Sequence, residues 1–242
     1  VLTDTNALCF GDTNGMLEAT VAGGDETYSY SWSFGGNTMF GINIFSNLIA
    51  STDPYQLTVT DGNNCQGVAY GFIREPKVLE LDTSELVSAY CVNISTGSVS
   101  VVAEGGHLNT GGAYQFSWAT GEQGAILPNQ TAGSYTVTVT DDNDCQLSMT
   151  IDIPLEETFG SSMTTEELNC YQDGTGIATV ITAGGYGPYS YYWNWSGGSE
   201  NIAANSVDNT KNELPAGVSS VTITDVNGCT ITNDIEVTQP DQ

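Results

Sequence analysis

The chain has 242 residues, with three basic residues against twenty-nine acidic ones and a formal charge of −26. Nucleic acid is held by Lys and Arg neutralising phosphates, and anionic membrane surfaces also attract basic segments, so this balance excludes both as partners. No apolar run reaches the length of about 18 residues needed for a membrane span. What such a surface attracts is cations, Ca²⁺ above all.

In chain order, one unit recurs three times. Cys9, Cys91 and Cys170 are each followed by five residues and then Gly15, Gly97 and Gly176. After a strand-like run comes a double glycine: Gly23–Gly24, Gly105–Gly106 and Gly184–Gly185. An aromatic strand follows as YSYSW (28–32), YQFSW (114–118) and YSYYW (189–193). Next stands a strand with an acidic turn and a cysteine: YQLTVTDGNNC (55–65), SYTVTVTDDNDC (134–145) and SSVTITDVNGC (219–229). A closing strand ends near Pro76, Pro154 and Pro240.

Alternating apolar and hydroxylated residues, with Gly/Asn/Asp turns between them, predict short strands in every copy and almost no helix. The expected fold is all-β: three tandem immunoglobulin-like β-sandwich domains in a head-to-tail rod, bounded at 1–76, 77–154 and 155–242. Tyr28, Tyr30, Trp32 and Phe34 share one strand face, as do Tyr114, Phe116 and Trp118, and Tyr189, Tyr191, Trp193 and Trp195. Recurrence at core phase favours packing over a sugar-binding platform. Arg74 and Lys77, at the first junction, could pair with acids across it.

The six cysteines contain no C-x-x-C pair, and His107 alone cannot complete a zinc site with them. Disulfides are expected, and with them an extracytoplasmic home. Repeat symmetry leaves two schemes. The favoured one is within each copy: Cys9–Cys65, Cys91–Cys145 and Cys170–Cys229. Against it stands the immunoglobulin-like topology, which puts the first cysteine of a copy at one pole and the second at the other. That would join Cys9 to Cys145 and Cys91 to Cys229 across the junctions. A single strand between the aromatic strand and the acidic-turn strand would restore the within-copy scheme.

No catalytic residues are assigned. With one histidine and neither G-x-S-x-G nor H-E-x-x-H, no triad or metalloprotease can be assembled. The candidate metal ligands are Asp61, Asn63, Asp141, Asn143, Asp225 and Asn227, hard oxygen donors on turns that suit Ca²⁺. The plainer reading is that each aspartate caps its own turn, so no cofactor is required. The connection from core tryptophan to turn aspartate is the variable part, and carries the candidate binding residues Phe40 and Phe45. MFGINIF (39–45) reads as one additional strand, and Tyr192, out of phase with the core, as an exposed aromatic.

Cys-x5-Gly, GGYGPYSYYW (184–193), AGSYTVTVTDDNDC (132–145) and IEVTQP (235–240) together resemble SprB-type repeats of very large Bacteroidota surface proteins. The resemblance covers nearly all of the chain. It implies a long cell-surface filament, exported across the outer membrane by the type IX system, whose repeats form a stalk that carries an adhesive tip. Its partners would be further repeats of the same long chain, with glycans or substratum gripped by other regions. The rival readings are a glycan- or protein-binding module acting through the variable loops, and a spacer of a secreted enzyme.

Overall fold

The structure, a computed structural model, describes every residue except Asn93, Glu157 and Gln242. The first copy contributes β1 (Leu2–Thr5), β2 (Gly15–Ala19), β3 (Tyr28–Phe34), β4 (Asn37–Phe40), β5 (Ile44–Leu48), β6 (Tyr55–Asp61) and β7 (Gln66–Gly71). These form a three-stranded sheet β1-β2-β5 and a four-stranded sheet β4-β3-β6-β7. The third copy repeats the plan with β14 (Gly160–Glu166), β15 (Gly176–Ala183), β16 (Tyr189–Trp195), β17 (Gly198–Ala204), β18 (Asp208–Leu214), β19 (Gly217–Thr224) and β20 (Thr230–Val237). Its sheets are β14-β15-β18 and β17-β16-β19-β20. The second has β8 (Lys77–Val87), β9 (Gly97–Gly106), β10 (Gln115–Trp118), β11 (Ile126–Gln130), β12 (Gly133–Thr140) and β13 (Gln146–Ile153), ordered β11-β9-β8 and β10-β12-β13. Each copy is an immunoglobulin-like sandwich, and no described residue is helical.

Cores form where the inward phases of the two sheets meet. In the first copy Leu17, Trp32, Tyr55, Leu57 and Ile73 are buried together. In the third, Val180, Tyr191, Trp193, Val221 and Ile223 do the same. Trp118, Val137 and Val139 are buried in the second. Each core tryptophan also finds an acceptor for its indole N–H, which burial demands: Ile42 O at 3.0 Å, Gly124 O at 2.9 Å and Asn209 Oδ1 at 2.8 Å.

In the second and third copies the first glycine of the pair is a steric necessity, whereas Gly23 in the first faces open space. Gly105 and Gly184 have φ of +79° and +71°. A Cβ there would lie 1.8 Å from the carbonyl oxygens of Val78 and Thr158.

The chain divides into two compact units, residues 1–83 with 101–125 and 136–150, and residues 84–100 with 126–135 and 151–242. Strands of the second copy therefore contribute residues to both.

Hydrogen bonds fix the poles of each sandwich. In the first copy the β1–β2 loop binds the segment after β7: Ala7 N–H donates to Arg74 O (2.9 Å), and Gly11 N–H to the Glu75 carboxylate (2.7 Å). The β6–β7 turn meets the β2–β3 loop at the other end, where Gly62 N–H donates to Asp25 (2.9 Å). In the third copy Leu168 N–H donates to Thr238 O (3.0 Å) at one pole and Tyr186 N–H to Asp225 (3.0 Å) at the other.

Candidate functional site

The acidic turns are built around one carboxylate each. Asp141 Oδ1 accepts the N–H groups of Asn143 and Cys145, both at 2.9 Å, while Oδ2 accepts His107 N–H at 2.8 Å. Asp225 repeats this with Asn227 and Cys229 at 2.9 Å and Tyr186 at 3.0 Å. Asp61 holds Asn63 at 2.9 Å and Cys65 at 2.8 Å. Five residues thus wrap around an oxygen, and the residue before each cysteine is left-handed: Asn64 (φ 63°), Asp144 (63°) and Gly228 (84°). Each predicted Asp–Asn pair shares a turn, with the aspartate engaged as a cap rather than presented outward. Among the described residues, no three His, Cys, Asp or Glu side chains group as a metal site.

The first cysteine of a copy has its own cradle. Cys9 N–H donates to Asp12 Oδ2 (3.3 Å) and Cys170 N–H to Asp173 Oδ2 (2.7 Å). Burial works to raise the Asp173 pKa. Hydrogen bonds from the Thr175 hydroxyl and from the Thr175 and Cys170 N–H groups outweigh it, leaving the carboxyl below its usual value.

The disulfides correct the favoured within-copy scheme. Cys9 bonds Cys145 and Cys91 bonds Cys229, with Cα–Cα distances of 5.7 and 5.5 Å. Cys65 and Cys170 are free and exposed. The physical reason is the poles. Cys65 opens β7, whereas the loop of Cys9 is bonded to Arg74 and Glu75 beyond its far end. Some ten extended residues separate those points, about 30 Å, far outside the reach of a disulfide. Each bond therefore joins the β1–β2-type loop of one copy to the acidic turn of the next. At the first junction, Asn143 Nδ2 also donates to Leu8 O at 2.8 Å.

The variable connection is likewise resolved differently from expectation. MFGINIF is two strands, not one: β4 pairs with β3 and β5 with β2, so the segment crosses between sheets. Phe45 packs on Trp32 and Tyr55, with ring centroids at 5.5 and 5.8 Å, and so serves the core. Phe40 is 76% exposed on the edge strand. A shallow cavity of about 450 Å³ beside it is lined by Trp32, Phe34, Met39 and Phe45 among others. Tyr192 is 46% exposed in the other unit. Arg74 and Lys77 form no ion pair among the described residues; the one found joins Lys211 to Glu200 at 2.9 Å.

The SprB repeat family model matches this chain twice. It covers residues 2–37 and 162–198, which run from the first strand of the first and third copies through their aromatic strands to the first residue of β4 and of β17. No curated protein matches the chain. Among solved structures, the three N-terminal domains of the bacteriophage RB49 highly immunogenic outer capsid protein are 16% identical, with 99% of this chain and 98% of that one covered at a TM-score of 0.39. The N-terminal eight Ig domains of Down syndrome cell adhesion molecule are 11% identical, with 89% and 32% covered at 0.42. Protocadherin gamma B7 cadherin domains 1–4 are 13% identical, with 86% and 66% covered at 0.33.

Both SprB matches contain the Cys-x5-Gly loop and end before the acidic turn; the first holds Cys9 of the Cys9–Cys145 bond, and the second holds the free Cys170. Two contacts in these repeats escaped the motif reading. Asn143 reaches across a junction, and Asp12 and Asp173 hold cysteine amides. The signal for the second lay in the spacing, an aspartate three residues after two of the three leading cysteines; Ile94 takes that place in the second copy.

Proposed function

We propose that this chain is a stalk segment of a long, repetitive cell-surface adhesin filament, with a mechanical role in carrying a binding tip away from the cell. The observation that carries the reading is the way the two disulfides overlap. Residues 9–145 and 91–229 are each closed into a loop, and the loops share the stretch from 91 to 145. Two routes that share no backbone therefore connect Cys9 to Cys229: along the backbone to Cys91 and over the second bond, or over the first bond and along the backbone from Cys145; a third and shorter one crosses both bonds by way of residues 91–145. A single backbone break anywhere between them leaves one route whole. Within-copy bonds would leave each linker as a single strand. Redundancy of this kind suits a thread exposed to shear and proteases, and disulfides persist outside the cytoplasm. The SprB matches support an extracellular repeat module of adhesin type. No residue is assigned a catalytic role, and the acidic surface supports solubility of a long filament.

Two measurements test this. Antibodies against the segment should label filaments on intact cells; labelling only after permeabilisation would contradict it. Pulling the chain by its termini should give a fully stretched length that about triples on reduction, because the shortest path, over both bonds by way of residues 91–145, omits more than two thirds of the 242 residues. An unchanged length would contradict the linkage.

A further inference from the structure

Cys65 and Cys170 are the two cysteines without a bond, and both are exposed. Neither is an arbitrary surface thiol. Cys65 occupies the acidic-turn position that Cys145 and Cys229 fill, and Cys170 the loop position of Cys9 and Cys91. Their backbones are set as in the bonded copies. Cys65 N–H donates to Asp61 at 2.8 Å, against 2.9 Å for Cys145 to Asp141 and Cys229 to Asp225. Asn64 before it has φ of 63°, the same as Asp144. Cys170 N–H is held by Asp173 as Cys9 N–H is held by Asp12. The second element of the joint is present too: Asn63 matches Asn143, whose side chain donates to the carbonyl before the partner cysteine. Asn169 supplies the carbonyl that matches Leu8.

We propose that Cys65 and Cys170 are two halves of the same inter-repeat joint, each bonding an adjoining repeat of this kind end on. Cys65 takes the loop cysteine of a repeat placed before the first copy. Cys170 takes the acidic-turn cysteine of a repeat placed after the third. The reaction is an exchange with a small-molecule disulfide such as oxidised glutathione: two protein thiols give up their protons as the S–S bond forms, and two glutathione thiols are released. This deepens the stalk reading and rests on it for the identity of the partner. Two equivalent bonds already present in the chain show that these positions can reach each other across a junction. Repeated along an array, the joint makes the two-route linkage continuous.

The test is a head-to-tail fusion of two whole chains. Eight residues, 154–161, separate Ile153 from Ser162, the position equivalent to Val1, whereas five, 238–242, follow Val237. Repeating Phe159–Ser161 between the copies restores the spacing. After oxidation with glutathione disulfide, peptide mapping should recover Cys170 of the first copy bonded to Cys65 of the second. Two thiols should remain alkylatable instead of four. Recovery of the native Cys9–Cys145 and Cys91–Cys229 peptides certifies folding. Cys65→Ser in the second copy should return Cys170 of the first to the alkylatable pool. Four alkylatable thiols in the folded fusion, or Cys65–Cys65 and Cys170–Cys170 links, would overturn the proposal. That failure would leave surface labelling of filaments as it was, and absent labelling would leave the bond as mapped.

Discussion

The outer copies carry seven strands and the middle copy six. β4 and β17 are edge strands beside the aromatic strand, and the middle copy has a tight turn in their place. There Trp118 N–H donates to Glu122 O (3.0 Å), Gly121 N–H to Trp118 O (2.9 Å) and Gly124 N–H to Phe116 O (3.0 Å). This accounts for the differing lengths of the tryptophan-to-aspartate connection. The lesson is which parts of the repeat are dispensable. An edge strand can shrink to the single bridge Ser117–Gln123, because shortening it exposes only part of one more row of backbone groups. What stays in all three is the buried tryptophan with its N–H satisfied, and the carboxylate that shapes the cysteine turn. The middle copy also supplies Cys145 to one disulfide and Cys91 to the other, so the sandwich with the fewest strands is the most cross-linked.

If the edge strand is dispensable, the tryptophan should matter equally with and without it. Trp118→Ala and Trp193→Ala should each destabilise their copy by about 3–5 kcal/mol in chemical denaturation. A much smaller loss for Trp118 would mean that the six-stranded copy is held by its disulfides instead. The turn carboxylates give a smaller and unequal effect. Asp141→Ala leaves three N–H groups without an acceptor at a site where the aspartate is 2% exposed. It should cost about 1–3 kcal/mol. Asp61→Ala, at a half-buried turn without a disulfide, should cost less, and equal costs would undo the distinction between bonded and free turns. Because these carboxylates already accept backbone N–H groups, a chelator is expected to leave the melting temperature of the chain unchanged; a large drop would assign Ca²⁺ to the turns. Phe40→Ala, on the exposed edge strand that the middle copy lacks, should change stability by less than about 0.5 kcal/mol. Loss of a glycan-array signal with that variant would instead favour the binding-module reading.

Much of this was legible in the residues. Spacing of Cys, Gly-Gly and Trp revealed the repeats, and strict alternation in YSYYW placed Tyr189, Tyr191 and Trp193 on the core face, where they are buried. The disulfide register was not legible. It depends on how often the chain reverses between the aromatic strand and the acidic turn: through β4 and β5 in the first copy, β17 and β18 in the third, and in the second through the short run bridged back onto β10 at Ser117–Gln123 and then β11. In MFGINIF, a continuous apolar run hides the crossing from one sheet to the other. Only pairing of Phe40 with Ser31 and of Phe45 with Leu17 separates the two strands. In sequence Asn143 resembles a ligand, because a polar side chain two residues after an aspartate suggests one. Its acceptor, Leu8 O, lies in the preceding copy, 135 residues away in sequence.

The two-route linkage is tested most directly by cutting one route. A site-specific protease sequence placed between Phe72 and Pro76, in the segment joining β7 to β8, puts the cut between Cys65 and Cys91. After cleavage, a denaturing gel without reductant should still show one full-length species, held by Cys9–Cys145, and reductant should release two fragments. Release of both fragments without reductant would place the cysteines within their own copies and contradict the account.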